Sequence, residues 1–490
     1  MMRLALVAAT ALLLFLAPSH EAAGQQNPEV RIPELGDASA RVLGLKEERD
    51  LSREVRLSIM RQAPLIDDPA AQDYLDRLGQ RLLAASGERR YARGFNFFII
   101  DDPSINAFAA PAAAQVIAVF TGMIDAARLE YQFAGVLAHE IAHVSQRHIS
   151  RRFEAQSQSS LALAAALIAG LALGASGHGD AAEAAIFGSM AGSAQAQVNY
   201  TRRYEYEADR VGLRILAEGG FDPEGIGSFF ERVQQINRYN DLGQIEYLRT
   251  HPVDSARIAE ARARAEDYPD GLRTDSLDYQ LFRARVIALS NDDQRAVAER
   301  FQADANSGSA NARYAAQYGR ALALARLGQH DQALELLDAL RDTQEHIWIA
   351  LAKADVHRRA GDVARALDVL EANRPFYEGF APLVFAFADT LLEADRAVEA
   401  RELLRRQIGV SDSPNPEIYK RLSEAEFTSG RRPEAFEALA QYYLDMGQAR
   451  EALRQLELAL SLPALNPVQQ ARLEARRDQL EFLIRERRAG

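Results

Sequence analysis

The sequence predicts a mainly α chain of the α+β class, in which a helix-rich domain with a small sheet precedes an α-solenoid. Three observations predict it. Apolar residues recur at Leu129, Phe133, Val136, Leu137, Ile141 and Val144, the spacing of a helix with one face turned inward. Two short runs, Phe95–Ile100 and Gln115–Phe120, are rich in aromatic and β-branched residues and stop at Asp101-Asp102-Pro103 and Thr121-Gly122, as strands do. Beyond residue 272, Ala and Leu return at intervals of 33 and 34 residues, the length of a two-helix repeat unit.

Composition bounds the rest. A chain of 490 residues exceeds what one core supports. Its net charge is −12 and it has no basic block, which excludes a nucleic-acid binder, since phosphate contacts need clustered Lys and Arg. The start has the form of an export signal: Met1-Met2-Arg3, a largely apolar run from Leu4 to Ala17, then Ala22-Ala23-Gly24. Residues 1–24 are therefore expected to be a signal peptide, and in a bacterium the address would be the periplasm. The chain has no Cys, so neither disulfides nor a lipidated cysteine is expected. An exported fold without disulfides relies on its core, with a metal as a candidate second support.

In chain order, residues 25–45 form a loose lead-in. Val55, Ile59, Leu75, Leu78 and Leu82 predict two helices broken near Pro64 and Asp67-Asp68-Pro69. The two strands follow, separated by Ile105–Pro111; they form either a core hairpin or a small sheet whose edge can pair with an extended peptide. After a short helix comes the amphipathic helix around residues 129–148. Leu161–Ala175 is apolar all round, with a weaker stretch running to Ala196. Residues 161–196 are read as a buried or re-entrant helical hairpin, too short for a bilayer span; the alternative is a membrane-contacting segment.

The chemistry concentrates on the 129–148 helix, in His139-Glu140-Ile141-Ala142-His143. Residues four apart share a helix face, so His139 and His143 can offer two imidazoles to one metal ion, with Glu140 within reach of an activated water. Arg202–Gly212 begins another helix, with Glu205 and Asp209 four apart. An apolar hairpin folding back would bring Glu205 to the two His as the third ligand of one zinc ion, and Asp209 would orient a ligand imidazole. His251 precedes Pro252 and a helix capped by Asp254 or Ser255. It either reaches the metal or an oxyanion, with Arg257 as a second oxyanion candidate, or is a surface or capping residue. A three-His site would need Gly at 146 and His at 149; the chain has Gln146 and Ile149, and His148 is read as a helix-surface residue. Zinc on His139, His143 and Glu205 would activate water and polarise a peptide carbonyl, with Glu140 as the base.

The repeats have their own signature. Ala321, Ala354, Ala388 and Ala440 lie twelve residues before Ala333, Ala366, Ala400 and Ala452, each of which is followed four later by Leu337, Leu370, Leu404 or Leu456. Gly328, Gly361, Asp395 and Gly447 mark the turns. This is a tetratricopeptide-like array, with small residues where helices pack closely. Ser423, Ala435 and Leu439 follow the rule out of phase, so one helix is shared or one repeat is irregular. Residues 273–310 hold a degenerate opening pair, and Pro467–Arg488 caps the stack. Such arrays bind peptides or proteins in a concave groove, the alternative being a structural spacer.

Taken together, His139–His143, Glu205-Tyr206-Glu207-Ala208-Asp209, Ile105-Asn106-Ala107-Phe108-Ala109 and His251-Pro252 resemble the zinc metallopeptidase family that includes heat-shock protein X and the prenyl-protein endopeptidases of membranes. The resemblance implies a zincin-like metalloprotease domain at 25–272 and a repeat domain at 273–490. It implies one Zn2+ on His139, His143 and Glu205, with Glu140, Asp209 and His251 as catalytic, orienting and switch residues. With the signal peptide and the array, it further implies a periplasmic endopeptidase acting on misfolded or unassembled outer-membrane proteins, the array meeting substrate or the barrel-assembly machinery. One departure stands out: relatives often carry Gly-Gly where this chain has Pro111-Ala112-Ala113. Two other readings compete: a repeat-based chaperone or adaptor with an idle or structural metal site, and an integral membrane protease anchored by 161–196.

Overall fold

The computed structural model describes residues 55–87, 95–109, 115–148, 151, 194–239, 245–410, 415–463 and 465–489. The expected signal peptide, residues 161–193 of the expected apolar hairpin, and Pro111-Ala112-Ala113 lie outside them. A helical stretch over 55–62 precedes Pro64, and α1 (Pro69–Ala85) starts at Asp68, whose carboxylate accepts from the Ala71 N–H at 2.9 Å. The break at 63–68 follows from Pro64 and from the N-capping preference of Asp.

The sheet has three strands, β1 (Asn96–Ile100), β2 (Ala107–Ala109) and β3 (Val116–Phe120), in the order β1-β3-β2. β1 runs parallel to β3, with Phe98 opposite Ala118, and β2 runs antiparallel to it, with Phe108 opposite Ala118. The two runs visible in the sequence are thus parallel neighbours and not a hairpin. The antiparallel partner is β2, inside the connection between them. β3 lies at the centre and is buried along its whole length, as a strand covered on both faces must be. β2 lies at the edge.

Among the described residues, six helices complete this part: α2 (Thr121–Ala126), α3 (Glu130–Ser145), α4 (Ala194–Glu218), α5 (Glu224–Arg238), α6 (Glu246–Thr250) and α7 (Ser255–Ala265). α3 packs against α1, α4 and α5 and is buried almost throughout. The Gln132 side chain ties down its start by accepting from the Arg128 N–H at 2.9 Å. Gly212 sits where α4 crosses α3. A Cβ there would stand 3.3 Å from the Cα and N of His139, so the absent side chain lets the two helices approach at the functional residues.

The opening helix pair is present as α8 (Leu277–Leu289) and α9 (Gln294–Asp304). α8 docks on the α/β part. Its Arg285 grips Asp68 through two bonds of 2.7 Å. Phe282 stacks on Tyr74 with ring centroids 4.5 Å apart, and the Gln280 amide donates to the Arg128 carbonyl at 2.8 Å. Burial alone would raise the Asp68 carboxyl, but the Arg285 guanidinium holds it below its ordinary value. One hydrophobic core runs from α1 and α3 through α8 into the array.

The array continues as α10 (Ala310–Arg326) and α11 (His330–Thr343), α12 (Ile347–Arg359) and α13 (Val363–Asn373), and α14 (Ala381–Glu393) and α15 (Ala397–Val410). It ends with α16 (Glu417–Thr428), α17 (Arg432–Asp445), α18 (Ala449–Leu460) and the charged α19 (Pro467–Ala489). The paired alanines singled out above, and the leucines four residues after the second of each pair, are all buried. α17 packs against both α16 and α18, which accounts for the out-of-phase signature: one helix closes a pair and opens the next. Gly328, Gly361, Gly430 and Gly447 end helices with φ between 74° and 80°, the left-handed cap that glycine adopts without penalty. Asp395 does the same job at φ 58°. Relieving its Cβ contact, less the chain entropy that glycine loses, is expected to make Asp395→Gly more stable by about 0.5–1 kcal/mol. A higher midpoint in thermal unfolding checks this.

Candidate metal centre

α3 and α4 present their functional side chains to each other across the Gly212 crossing. From α3 come His139, Glu140 and His143; from α4 come Glu205 and Asp209. His251 follows α6. One ligand atom each from His139, His143, Glu205 and His251 lies within 4.8 Å of all the others. His139 Nε2 is 3.0 Å from His143 Nε2 and 3.4 Å from Glu205 Oε2. His143 Nε2 is 3.5 Å from Glu205 Oε1. His251 Nδ1 is 3.3 Å from His139 Nε2 and 3.1 Å from Glu205 Oε2. Donors bound to one tetrahedral ion at ~2.0–2.1 Å stand roughly 3.3–3.4 Å apart, and the distances among His139, His143 and Glu205, and from His251 to His139 and Glu205, bracket that spacing. The residues present therefore fit a metal.

Electrostatics separates the roles. Burial would lower the His139 imidazole, but its bonds to Asp209 and Glu205 outweigh this and raise it to about 9. A metal held by His139 would have to displace that proton, so its affinity would strengthen as pH rises. Burial holds His143 well below its ordinary value, leaving a neutral ring with a lone pair. Burial opposes ionisation of Glu205, yet His251 and His143 draw it well below the carboxylate range. Glu140 moves the other way: burial raises it. Its Oε2 accepts from the Ala109 N–H of β2 at 2.9 Å, while its Oε1 is buried without a hydrogen-bond partner and lies 3.5 Å from His251 Nε2.

Supporting residues hold these groups. Asp209 Oδ1 faces His139 Nδ1 at 3.0 Å. Arg257, almost fully buried, donates to both Asp209 oxygens at 2.8 Å and to the Pro252 carbonyl at 2.6 Å, and its Nη1 lies 3.2 Å from Glu205 Oε2. The oxyanion role weighed for Arg257 is therefore not supported: its donors are committed. Asp254 caps α7 through the Arg257 N–H at 2.9 Å, settling which of the two cap candidates acts. The Tyr247 ring stacks on His251 with centroids 4.8 Å apart, and the Tyr247 N–H donates to the Ile105 carbonyl at 3.1 Å, tying the His251 turn to the approach to β2.

Residues 69–265 match peptidase family M48. A Vibrio cholerae protein provisionally named a beta-barrel assembly-enhancing protease is 34% identical over 472 residues, 96% of this chain and 96% of that one. The chain belongs to peptidase family M48. It is a metalloendopeptidase. Other M48 relatives agree in extent: the beta-barrel assembly-enhancing protease of Escherichia coli K12 is 30% identical over 454 residues, 92% of this chain and 91% of that one. The mitochondrial metalloendopeptidase OMA1 of Schizosaccharomyces pombe is 28% identical over 188 residues, 38% of this chain and 50% of its own. Among solved structures, yeast Tom70 aligns over 59% of this M48 chain with a TM-score of 0.27 and 15% identity, too weak a likeness to argue from.

Sequence reasoning missed three features of this M48 centre. One is the Ala109 N–H on the base. Another is the Arg257 fork joining Asp209 to the His251–Pro252 turn. The third is His148, which is buried at 2% exposure and is not the surface residue expected. A His five residues beyond His143, and Tyr204 and Glu207 one turn apart on α4, were the available signals.

Proposed function

We propose that this M48 chain is a periplasmic zinc endopeptidase that hydrolyses misfolded or unassembled outer-membrane barrel proteins. Residues 25–272 would do the chemistry, and the array at 273–490 would receive substrate or the barrel-assembly machinery. The observation that carries the reading is the buried convergence of two imidazoles and a carboxylate beside Glu140, whose free oxygen faces the same space. The names of the full-length relatives supply the substrate class. Among the described residues no helix is long and apolar enough to cross a membrane.

His139, His143 and Glu205 would hold the ion, and two imidazoles with a carboxylate favour zinc among common divalent metals. When bound, zinc supplies Lewis acidity: it makes water nucleophilic near neutral pH and draws charge from the peptide carbonyl. Glu140 Oε1 takes the proton of the attacking water and returns it to the departing amine, while the Ala109 N–H keeps the carboxylate oriented. The Ala107 and Ala109 N–H groups of β2 are taken by Asn106 Oδ1 and Glu140 Oε2, so an extended substrate would meet the carbonyls of that edge. His251, whose Nδ1 lies beside His139 and Glu205, would act as a latch that substrate entry moves aside.

Chelation tests this directly. Protein stripped with a chelator is expected to lose cleavage of an unfolded outer-membrane barrel protein and to regain it with one equivalent of zinc. It should also unfold more readily, by about 4 kcal/mol when zinc had been present at roughly a thousand times its Kd. Cleavage that survives complete removal of metal would sink the reading.

A further inference from the structure

α3 ends in an unusual way. Its cap, Gln146, is followed by Arg147 at φ 52°, a left-handed conformation that a side chain other than Gly adopts at a cost. That turn brings His148 back beneath His143. His148 Nδ1 lies 3.0 Å from His143 Nδ1, and its Nε2 lies 3.4 Å from Glu207 Oε2. Glu207 is in turn gripped by Arg151, through Nη1 to Oε1 at 3.1 Å and Nη2 to Oε2 at 2.9 Å. The Tyr204 ring stacks on His148 with centroids 4.5 Å apart and 25° between planes, and it carries the Arg151 guanidinium at 4.8 Å. Backbone strain, a buried imidazole and an arginine-clamped carboxylate thus converge on the nitrogen of His143 that points away from the centre.

The charge on Glu207 favours one assignment. His148 Nε2 makes no hydrogen bond, but the Glu207 carboxylate 3.4 Å away only accepts, so its charge favours the hydrogen on that nitrogen. A neutral His148 then has a lone pair on Nδ1, and His143 Nδ1 must donate to it. That leaves His143 Nε2, the nitrogen 3.0 Å from His139 Nε2 and 3.5 Å from Glu205 Oε1, without a hydrogen and ready to bind a metal. The reverse assignment would put a hydrogen on Nε2 and set a lone pair of His148 against the carboxylate.

We propose that His148 and Glu207 are positioning residues that hold His143 in its metal-binding tautomer, a carboxylate–imidazole–imidazole relay alongside the direct Asp209 contact to His139. α4 serves both ligands: Glu205 and Asp209 on one face, Tyr204 and Glu207 on the next. The inference rests on the reading of His143 as a metal ligand.

Metal affinity tests it without reference to turnover. Full-length protein stripped of metal is titrated with zinc against a chromophoric chelator, and its cobalt form is followed by visible absorption. His148→Phe keeps the ring on Tyr204 but loses both nitrogens; zinc affinity is expected to fall about 10–100-fold, the usual effect of losing an outer partner of a ligand imidazole, and the cobalt bands to shift. His148→Asn, whose Oδ1 can accept the His143 hydrogen, is expected to recover most of both. Glu207→Ala should weaken zinc binding in the parent background and add nothing to His148→Phe. A His148→Phe protein that binds zinc as tightly as the parent, with an unshifted cobalt spectrum, overturns the inference. If that variant does not fold, the partly exposed Glu207 decides: unchanged affinity in Glu207→Ala overturns it. A parent that takes up no stoichiometric zinc brings down the metal-centre reading and this inference together, whereas a parent that loads and variants that match it bring down this inference alone.

Discussion

Replacing Glu140 by Gln is expected to reduce cleavage of an unfolded barrel substrate by about 10²–10⁴-fold, the contribution of a positioned general base, while leaving the metal bound. Gln matches the shape of Glu140, and its carbonyl oxygen can still accept from the Ala109 N–H. What it cannot do is take a proton at the second position, where Glu140 Oε1 now sits buried and unpartnered. Because Glu140 belongs to none of the three proposed ligand residues, zinc content and the unfolding midpoint should match the parent. Cleavage at parental rates in Glu140→Gln would rule out the mechanism. If cleavage disappears but barrel assembly is still assisted, the array has a holding role of its own, the part of the adaptor reading that remains open.

The second large effect is on stability. Arg257→Met is expected to destabilise the fold by about 3–5 kcal/mol, the cost of leaving a buried ion pair with one member. Arg257 is 1% exposed and its fork is the main cationic partner of Asp209. It also neutralises Glu205 and holds the Pro252 carbonyl. Without it two carboxylates stay in a dry site, the His139 contact is disturbed, and the His251 turn loses its anchor. Arg257→Lys should recover only part of the loss, because one ammonium cannot reproduce the planar fork. Urea unfolding of the zinc-loaded proteins measures the difference. A midpoint for Arg257→Met within error of the parent would show that the fork does not support the centre.

Much of this architecture could be read from the chain because its signals are local and repeated. The helical spacing from Leu129 to Val144 and the 33- and 34-residue steps of the array each rest on many residues, so single exceptions did not obscure them. What escaped was short or non-local. β2 has three residues, Ala107–Ala109, too few for an alternating pattern to show. The parallel pairing of β1 with β3 depends on where β2 inserts, which no period encodes. His148 lies five residues after His143, off the face that carries the ligands, and is buried by Tyr204 from α4. Arg257 finds Asp209 across 48 residues. The side chains singled out as chemical did converge because α3 and α4 each carry two of them one turn apart.

The donors of the centre stand 46 and 112 residues apart along the chain. No short segment contains a working version of it. If His139, His143 and Glu205 are the ligands, a newly made or unfolded chain would hold a His pair without its carboxylate, and could not cut its neighbours or itself. Competence arrives only with the complete tertiary structure, and an ion that then closes such long loops removes more freedom from the unfolded chain than one closing a local turn. Latency before folding would thus follow from the topology.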